Sequence, residues 1–181
     1  MNNVSPGIII VDMVNDFVSG KFGSETKQSL ASKIGETLHR IPENIPLIFT
    51  QDSHILNDPE FRVWGEHCLA GEWGSEICPE LSGFRGYRLR KRHYDAFFET
   101  DLDGYLRAMR INHLYIFGIS TDICVLHTVS GAFHRYIPFS VPKDLCAAID
   151  SELHEEAIAF MKRNYGARII DSSAMVSEVN Q

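Results

Sequence analysis

A cysteine in the second half of the chain occupies a position at which a thiol can act as a nucleophile. Residues 114–119 form an apolar run that predicts a buried strand, and Thr121 can cap a helix with Cys124 in its first turn. Unpaired backbone N–H groups and the positive end of the helix dipole lie in such a turn. Both favour a thiolate, so we expect the pKa of Cys124 to fall below about 8.5. The same N–H groups could bind an oxyanion, whereas the alternative is an inert buried cysteine.

Asp12 is a second candidate, because it ends the apolar sequence Ile-Ile-Ile-Val-Asp near the start of the chain. Residues 7–11 predict a strand that is buried on both faces, so this carboxylate is partly removed from water. It could act as a general base, a metal ligand or a nucleophile. A phosphoaspartate enzyme needs a second acid two positions later, where the sequence has Val14. The remaining alternative is an aspartate that caps a turn.

Two imidazoles and two carboxylates follow the strand that is predicted at residues 45–50. Asp52 and His54 point in the same direction if the chain stays extended, since successive side chains alternate. Glu60 and His67 lie in the same long loop. These ligands suit a zinc, iron or manganese ion and leave room for water or substrate, although their spacing matches no closed structural zinc motif. The alternative is a solvated polar loop.

Lys91 lies in the basic segment Arg-Leu-Arg-Lys-Arg-His-Tyr at residues 88–94. A solvated basic patch is one interpretation of this segment, and a nucleic-acid surface is another. The segment is short and the net charge of the chain is −7, so we expect no nucleic-acid partner. The interpretation with chemical consequences is that Lys91 turns inward, pairs with Asp12 and lowers the pKa of Cys124.

Six apolar runs, mostly separated by helical patterns, predict the strands that position these side chains. They lie at residues 7–11, 45–50, 87–90, 114–119, 137–141 and 167–170. Such an order predicts an α/β fold with a mainly parallel six-stranded sheet. Ligands bind outside the carboxyl ends of parallel strands. We therefore expect Asp12, the Asp52–His54 pair and the turn at residues 120–124 to face one site.

Helical periodicity places four helices between these strands. Their N-cap residues are expected to be Ser24, Thr100, Thr121 and Asp150. The third helix is expected to bury Phe133, and the fourth to bury Phe160 and to end at Gly166. Residues 51–86 are interpreted as a loop, and a loop of that length is usually functional.

Length and composition predict one globular domain over residues 1–181, with 44% hydrophobic and 23% charged residues. The acidic balance argues against general binding to nucleic acid or an anionic membrane. No apolar stretch approaches the roughly 20 residues of a membrane span, and the start of the sequence is interpreted as a strand rather than a signal peptide. The four cysteines, which show no Cys-x-x-Cys spacing, are expected to be reduced thiols in a cytoplasmic protein.

Four motifs in this order resemble those of the isochorismatase-like cysteine hydrolases, and most closely the nicotinamidases among them. Residues 11–17 resemble the opening Val-Asp-x-Gln-Asn-Asp-Phe, with Val14 in place of glutamine. Residues 52–68, from Asp-Ser-His to Trp-Gly-Glu-His-Cys, are similar to the nicotinamidase metal loop. Residues 91–97 resemble the segment with the family's lysine, and residues 118–125 resemble the nucleophile segment Gly-x-x-Thr-Asp-x-Cys-Val. The resemblance covers nearly the whole chain.

The resemblance implies a three-layer α/β/α fold and hydrolysis of a C–N bond through a thioester. Asp12 would act as the base, Lys91 would hold it in place, and Cys124 would attack the carbonyl carbon. The backbone N–H groups of Ser120 and Cys124 would form the oxyanion hole. The peptide bond between Ile119 and Ser120 would be cis.

The resemblance also implies a substrate pocket and a metal site. Phe17, Trp64 and Ile119 would line the pocket against a flat ring. The metal, zinc or alternatively iron or manganese, would be bound by four side chains. These are Asp52, His54, Glu60 and His67.

The resemblance indicates the type of reaction more precisely than it indicates the substrate. Nicotinamide has a ring nitrogen that can occupy an open metal position, so the metal loop favours it. The alternative is an amidase for a ureido acid such as N-carbamoylsarcosine, whose carboxylate would require an arginine, for which Arg62 is one possibility. A protein of another class, a non-catalytic domain that binds a metal or a partner, is disfavoured by the intact Asp12, Lys91 and Cys124. By family analogy we expect a homo-oligomer, either a dimer or a tetramer.

Overall fold

A computed structural model describes residues 4–181, so the first three residues of the predicted domain lie outside the described part. Its sheet has six strands in the order β3-β2-β1-β4-β5-β6, and every neighbouring pair is parallel. Helices lie on both sides of the sheet, which confirms the predicted three-layer α/β/α fold. The strands are β1 Pro6–Val11, β2 Leu47–Asp52, β3 Tyr87–Lys91, β4 His113–Gly118, β5 Phe139–Pro142 and β6 Arg168–Ile170.

The chain leaves the centre of the sheet at β1, runs outward through β2 to β3, and then crosses back to β4 on the other side of β1. The strand order therefore reverses between β1 and β4. Crevices at such a reversal, outside the carboxyl ends of the strands, are where open α/β sheets bind their ligands. Asp12 directly follows β1 and the Cys124 turn follows β4, so both face this crevice.

Eight helices are present among the described residues. They are α1 Asn15–Val18, α2 Glu25–Leu38, α3 Phe61–Trp64, α4 Pro79–Ser82, α5 Leu102–Ala108, α6 Leu126–His134, α7 Ser151–Tyr165 and α8 Ser172–Val179. Short 3₁₀ turns occur at Trp73–Ser75 and Lys143–Leu145, and a π-helical turn at Thr121–Val125 precedes α6. The loop predicted at residues 51–86 thus contains two short helices and one 3₁₀ turn.

The helix ends follow the side-chain chemistry of the sequence. Ser24 caps α2 by accepting the N–H of Lys27, and Asp150 caps α7 by accepting the N–H of Leu153. Gly166 ends α7 in the left-handed conformation that glycine adopts without a Cβ clash. These three predictions are confirmed.

Two helix caps and two buried aromatics are placed differently from the prediction. Helix α5 begins one residue later than expected, after Asp101, and Ser120 rather than Thr121 precedes the π-helical turn. Phe133 and Phe160 are 39% and 38% exposed, so their predicted burial is wrong. The inward stripe of α6 runs through Ala132, and the next residue lies about 100° further round the helix.

The core is built on the central strands. The four residues at 8–11 in β1 are all fully buried, as expected for a strand covered on both faces. Buried apolar residues of β2, β4, α2 and α6 pack into the same cluster. Among the described residues no helix is both long and apolar enough to cross a membrane.

Candidate active site

The carboxyl ends of four strands bring the predicted catalytic residues together. Asp12 follows β1 with a positive φ of 48°, a conformation that few non-glycine residues adopt and that is frequent at functional sites. Asp52 and Lys91 are the last residues of β2 and β3 and are paired in register. Cys124 lies in the turn that follows β4. All four side chains belong to buried residues.

Thr50 fixes the carboxylate of Asp12. Its hydroxyl donates to Asp12 Oδ1 at 2.6 Å and accepts the backbone N–H of Asp12 at 3.0 Å. Both residues are completely buried, so neither hydrogen bond competes with water. The other carboxylate oxygen, Oδ2, is thereby left to face Lys91.

Lys91 is the centre of the charged cluster. Its Nζ lies 2.6 Å from Asp12 Oδ2, 3.6 Å from Asp52 Oδ1 and 3.6 Å from the sulfur of Cys124. It also donates to the backbone carbonyl of His93 at 2.9 Å. The expected inward turn of Lys91 onto Asp12 is therefore confirmed, and one ammonium connects the acid to the thiol.

Burial and the neighbouring charges determine the protonation states of the cluster. Burial lowers the pKa of Lys91, but Asp12, Cys124 and Asp52 outweigh it, so this pKa is well above its usual range and the ammonium persists. Burial raises the pKa of Asp12, and the Asp52 carboxylate adds to this effect against the opposing charge of Lys91. The Asp12 carboxylate is consequently a stronger base than an ordinary aspartate.

The expected low pKa of Cys124 is wrong. Burial raises the pKa of the thiol, Lys91 opposes this, and the negative charges of Asp12 and Asp52 add to the increase. A thiolate would be a third negative charge beside two buried carboxylates and one ammonium. The resting side chain is therefore a thiol that needs a base to lose its proton.

The turn that contains Cys124 is π-helical rather than α-helical. The carbonyl of Ser120 accepts the N–H groups of both Ile123 and Val125 at 3.1 Å, and the second of these bonds spans five residues. Thr121 is fully buried, and its hydroxyl hydrogen-bonds to His154 Nδ1 at 2.9 Å. The predicted cis peptide bond between Ile119 and Ser120 is present.

Backbone donors flank the thiol at this turn. Among residues 4–181, the N–H of Ser120 has no hydrogen-bond acceptor, and the N–H of Cys124 has none outside the turn. Both residues line the same cavity, which holds a volume of about 140 Å³. Their backbone is placed where a carbonyl oxygen of a bound molecule could accept these hydrogen bonds.

Asp52, His54 and His67 form a buried group that could hold a metal ion. Asp52 Oδ2 lies 3.0 Å from His54 Nε2 and 3.4 Å from His67 Nε2. Glu60 Oε1 is 3.9 Å and 4.0 Å from the same two nitrogens. Four ligands around a tetrahedral zinc ion lie about 3.4 Å apart, because zinc–nitrogen and zinc–oxygen bonds are about 2.1 Å long. Asp52, His54 and His67 therefore converge at distances that fit one ion, whereas Glu60 lies farther out and does not belong to this close group.

The outer nitrogens of both histidines are also positioned. His67 Nδ1 lies 2.7 Å from the carbonyl of Gly65, which can only accept, so Nδ1 donates this hydrogen bond and Nε2 is the nitrogen that faces Asp52. Asp58 Oδ2 lies 3.3 Å from His54 Nδ1. Asp52 connects this group to the catalytic cluster, because its Oδ1 faces Lys91 while its Oδ2 faces the imidazoles.

Aromatic and apolar side chains form most of the cavity wall. The predicted pocket residues Phe17, Trp64 and Ile119 all line it, and Trp64 Nε1 donates to the hydroxyl of Tyr94 at 2.9 Å. Arg62, one possible partner for the carboxylate of a ureido acid, is exposed and does not line the cavity.

The isochorismatase domain model matches residues 6–174. The chain belongs to the isochorismatase family. It is similar to the solved structure of N-carbamoylsarcosine amidase from Thermoplasma acidophilum, with 36% identity, a TM-score of 0.81 and coverage of 93% of this chain and 97% of that one. It is also similar to the solved pyrazinamidase/nicotinamidase from Streptococcus mutans, with 30% identity, a TM-score of 0.84 and coverage of 92% and 100%. The nicotinamidase/pyrazinamidase of Mycobacterium tuberculosis is 27% identical over 86% of this chain and 93% of that protein.

Several residues of this isochorismatase-family site were not found by sequence reasoning. Thr50 is marked in the sequence only as the end of a predicted strand, and Asp58 and Tyr94 lie within the segments 52–68 and 91–97 at positions to which the resemblance assigns no role. Phe22 and Lys27 also line the cavity, although they lie in a loop and on a helix far from the motifs. A usable signal existed for Thr50 alone, because it lies two residues before Asp52 on a parallel strand beside β1.

Proposed function

We propose that this protein is a cysteine amidohydrolase that cleaves the C–N bond of a small amide and releases ammonia. The observation that supports the proposal is the buried ammonium of Lys91, which lies within 3.6 Å of both the Asp12 carboxylate and the Cys124 sulfur, beside a cavity. This arrangement supplies a nucleophile, a base and a fixed positive charge. The assigned roles are those that the family resemblance implies.

The reaction would begin with transfer of the Cys124 thiol proton to Asp12 while the sulfur attacks the amide carbon. The carbonyl oxygen becomes an oxyanion, which the N–H groups of Ser120 and Cys124 would stabilise by roughly 3 kcal/mol per donor. Asp12 then gives its proton to the nitrogen as the C–N bond breaks, and ammonia leaves. The acyl group remains on the sulfur as a thioester.

The second half of the reaction would hydrolyse the thioester. Asp12, ionised again, takes a proton from water as the water oxygen attacks the acyl carbon. The C–S bond then breaks, the carboxylic acid leaves, and the thiol of Cys124 regains a proton. The raised pKa of Asp12 suits both halves, because the same group must accept and return a proton. Lys91 stays charged throughout and holds Asp12 in place.

A divalent metal, with zinc as our first choice and iron or manganese as alternatives, would be bound by Asp52, His54, His67 and Glu60. The observation behind this choice is that Asp52 Oδ2 lies 3.0 and 3.4 Å from the Nε2 atoms of His54 and His67, with a Glu60 oxygen 3.9 and 4.0 Å from the same nitrogens. When bound, such an ion would supply a Lewis acid at the wall of the cavity.

Nicotinamide is our first candidate substrate, with nicotinate as the product. Its flat ring matches a wall that includes Phe17, Phe22, Trp64 and Tyr94, and its pyridine nitrogen matches a metal centre at the same cavity. A ureido acid is the second candidate, because N-carbamoylsarcosine amidase is 36% identical over 93% of this chain. Both candidates release ammonia by the same steps.

Ammonia release from a small panel tests the proposal. The panel contains nicotinamide, pyrazinamide and N-carbamoylsarcosine, each with and without added zinc or manganese. We expect release from at least one substrate, its loss in Cys124→Ala, and its retention in Cys78→Ala, a matched variant at another buried cysteine. Turnover that survives in Cys124→Ala would contradict the thioester mechanism. No release from any substrate would favour the non-catalytic binding domain.

We also propose a cytoplasmic homo-oligomer, on family analogy and on the four free buried cysteines, which suit a reducing compartment. Light scattering of the purified protein tests the assembly. A mass of about 20.5 kDa, that of one chain, would contradict it.

A further inference from the structure

Lys27 is a buried cation inside the active-site cavity that the proposed mechanism does not use. It lines the same cavity as Cys124 and is only 7% exposed. Lysine is seldom buried without a paired charge, because removing an ammonium from water is costly. Among residues 4–181, no carboxylate lies within 4.0 Å of its Nζ. The cavity wall therefore includes a lysine whose ammonium has no carboxylate partner within that distance.

The local structure makes this position still less favourable for a cation. Lys27 is the third residue of α2, directly behind the Ser24 cap. The positive end of the helix dipole lies there, and acidic rather than basic residues stabilise such a position. The ammonium has three N–H donors, and one of them is used on the backbone carbonyl of Phe22 at 2.8 Å. A residue that violates several local preferences at once is often retained for function.

Asp122 is the acid whose charge acts most on Lys27. It lines the same cavity, but its Oδ1 accepts the hydroxyl of Ser120 at 2.6 Å and it forms no close ion pair with Lys27. Burial lowers the pKa of Lys27, and the charge of Asp122 opposes that effect. Asp122 thus supports the charged state of the lysine without occupying its remaining donors.

We propose that Lys27 is a specificity-determining residue whose ammonium binds a carboxylate on the substrate. This inference rests on the proposed amidase activity and narrows its substrate class to small amides that bear a carboxylate, such as N-carbamoyl amino acids. Nicotinamide has no carboxylate and would leave this charge unpaired, so the inference favours the second candidate substrate, a ureido acid, over the first. The role expected for Arg62 in the ureido-acid alternative is thereby given to a different residue, in a different part of the chain.

The obvious alternative role for Lys27 is mechanical. Its hydrogen bond to Phe22 fixes a loop whose aromatic ring packs against His67 with 5.3 Å between centroids. Loss of that support would weaken every ligand of the cavity, charged or neutral. Loss of a carboxylate site would weaken charged ligands alone. The two roles are separated by a pair of ligands that differ only in charge.

The test uses calorimetric binding of N-carbamoylglycine and of its methyl ester to Cys124→Ala protein, which should not turn over either ligand. We compare this protein with versions that also contain Lys27→Gln, Lys27→Arg or Lys33→Gln. Lys27→Gln keeps an N–H donor but removes the charge, and Lys27→Arg keeps the charge. Lys33 lies on the same helix, is half exposed and pairs with Asp144 outside the cavity, so it is the matched control.

Hydrogen bonds to charged groups contribute about 1.5–3 kcal/mol, or roughly 10- to 100-fold in affinity. We therefore expect the ratio of carboxylate to ester affinity to fall about 10-fold or more in Lys27→Gln. The ratio should persist in Lys27→Arg and Lys33→Gln. An unchanged ratio in Lys27→Gln, equal weakening of both ligands, or no preference for the carboxylate when Lys27 is present would overturn the inference.

This binding test is independent of turnover. Preference for the carboxylate that depends on Lys27, together with no ammonia release by the wild-type protein, would refute the amidase proposal and leave the anion site standing. Ammonia release from neutral and charged amides alike, with no effect of Lys27→Gln on the affinity ratio, would support the amidase proposal and refute the carboxylate site at Lys27.

Discussion

Replacement of Lys91 by methionine should destabilise the fold strongly, because it removes the ammonium that pairs with Asp12 in a buried cluster. Methionine has a similar length and no charge, so the change leaves the packing nearly constant. It leaves the Asp12 carboxylate without its ammonium partner and removes one partner of Asp52, which keeps the imidazoles of His54 and His67, in side chains that are 0% and 5% exposed. The variant therefore tests whether the charges or the shape of the cluster hold this end of the sheet together.

The size of the effect can be worked from the distances. At an effective dielectric constant of about 20, unit charges at the 2.6 Å between Lys91 Nζ and Asp12 Oδ2 attract by about 6 kcal/mol. Desolvation of both groups offsets part of this attraction. Breaking a buried ion pair by removing one partner typically costs about 3–5 kcal/mol. We expect Lys91→Met to lower the free energy of unfolding by that amount at pH 8.

The loss should depend on pH and on Asp12. Without Lys91 the pKa of Asp12 rises still further above its unfolded value of 3.8, since the hydrogen bond from Thr50 alone then opposes burial and Asp52. A raised carboxyl pKa stabilises the folded state at low pH, and this contribution is lost as the pH rises. The variant should therefore be less impaired at pH 5 than at pH 8. Addition of Asp12→Asn should restore most of the stability at pH 8.

Urea unfolding monitored by circular dichroism measures these differences, with a chelator present so that a metal does not pair with Asp52. Lys33→Met is the control, because its ion pair with Asp144 is exposed and should contribute less than about 1 kcal/mol. A loss in Lys91→Met no larger than in Lys33→Met would refute the reasoning. So would a double variant with Asp12→Asn that is as unstable as Lys91→Met alone.

Three further predictions follow from the same geometry. Burial raises the pKa of Asp12 above its ordinary value of 3.8. As the pH is lowered, kcat/KM for the best substrate should therefore begin to fall at a pH above 3.8, where this base becomes protonated. A pH–rate profile whose acidic limb lies at or below pH 3.8 would contradict this prediction. His67→Asn should reduce bound metal, measured by mass spectrometry, from about one ion per chain to a small fraction, while undiminished metal would place the ion elsewhere. Gly118→Ala should prevent folding or lower the free energy of unfolding by more than about 4 kcal/mol. A Cβ at this position would overlap the carbonyl oxygen of Val11, and the φ of Gly118 is +136°. Thermal unfolding at the wild-type temperature would contradict the strand register.

The strands could be predicted because strands that are buried on both faces consist of consecutive apolar residues. Residues 8–11 and 114–117 are apolar without interruption and lie in the two central strands. Polar residues that end such runs must lie at the edge of the sheet, which is why Asp12 and Asp52 could be named. The helices were found where a side-chain cap marks the start, as at Ser24 and Asp150.

The elements that sequence reasoning missed have no periodic pattern. Helices α3 and α4 contain four residues each, too few for a helical stripe, and their positions depend on contacts with the rest of the fold. Helix α8 follows a strand of only three residues. Its apolar positions could therefore not be recognised in the sequence as a helix distinct from the last residues of the chain.

Most residues of the site could be predicted from the sequence, but their electrostatic environment could not. A helix terminus acts on Cys124 from one turn of chain, whereas the pKa of the thiol depends on its burial in the fold and on Lys91, Asp12 and Asp52 from three other strands. Likewise, Lys27 looks like an ordinary helix-surface lysine in the sequence. Its entry into the cavity depends on how α2 packs, which no local pattern encodes.

The π-helical turn at Thr121–Val125 makes the length of this segment as important as its composition. The hydrogen bond from Val125 to Ser120 encloses one residue more than an α-helical turn would. Deletion of one residue would permit a regular helix, yet each residue removed turns its neighbours by about 100° around the axis. Helix α6 could then keep its buried face only by turning Cys124 away from Lys91. Single-residue deletions here should therefore yield folded, inactive protein, so among related sequences this turn should tolerate substitution more readily than a change of length.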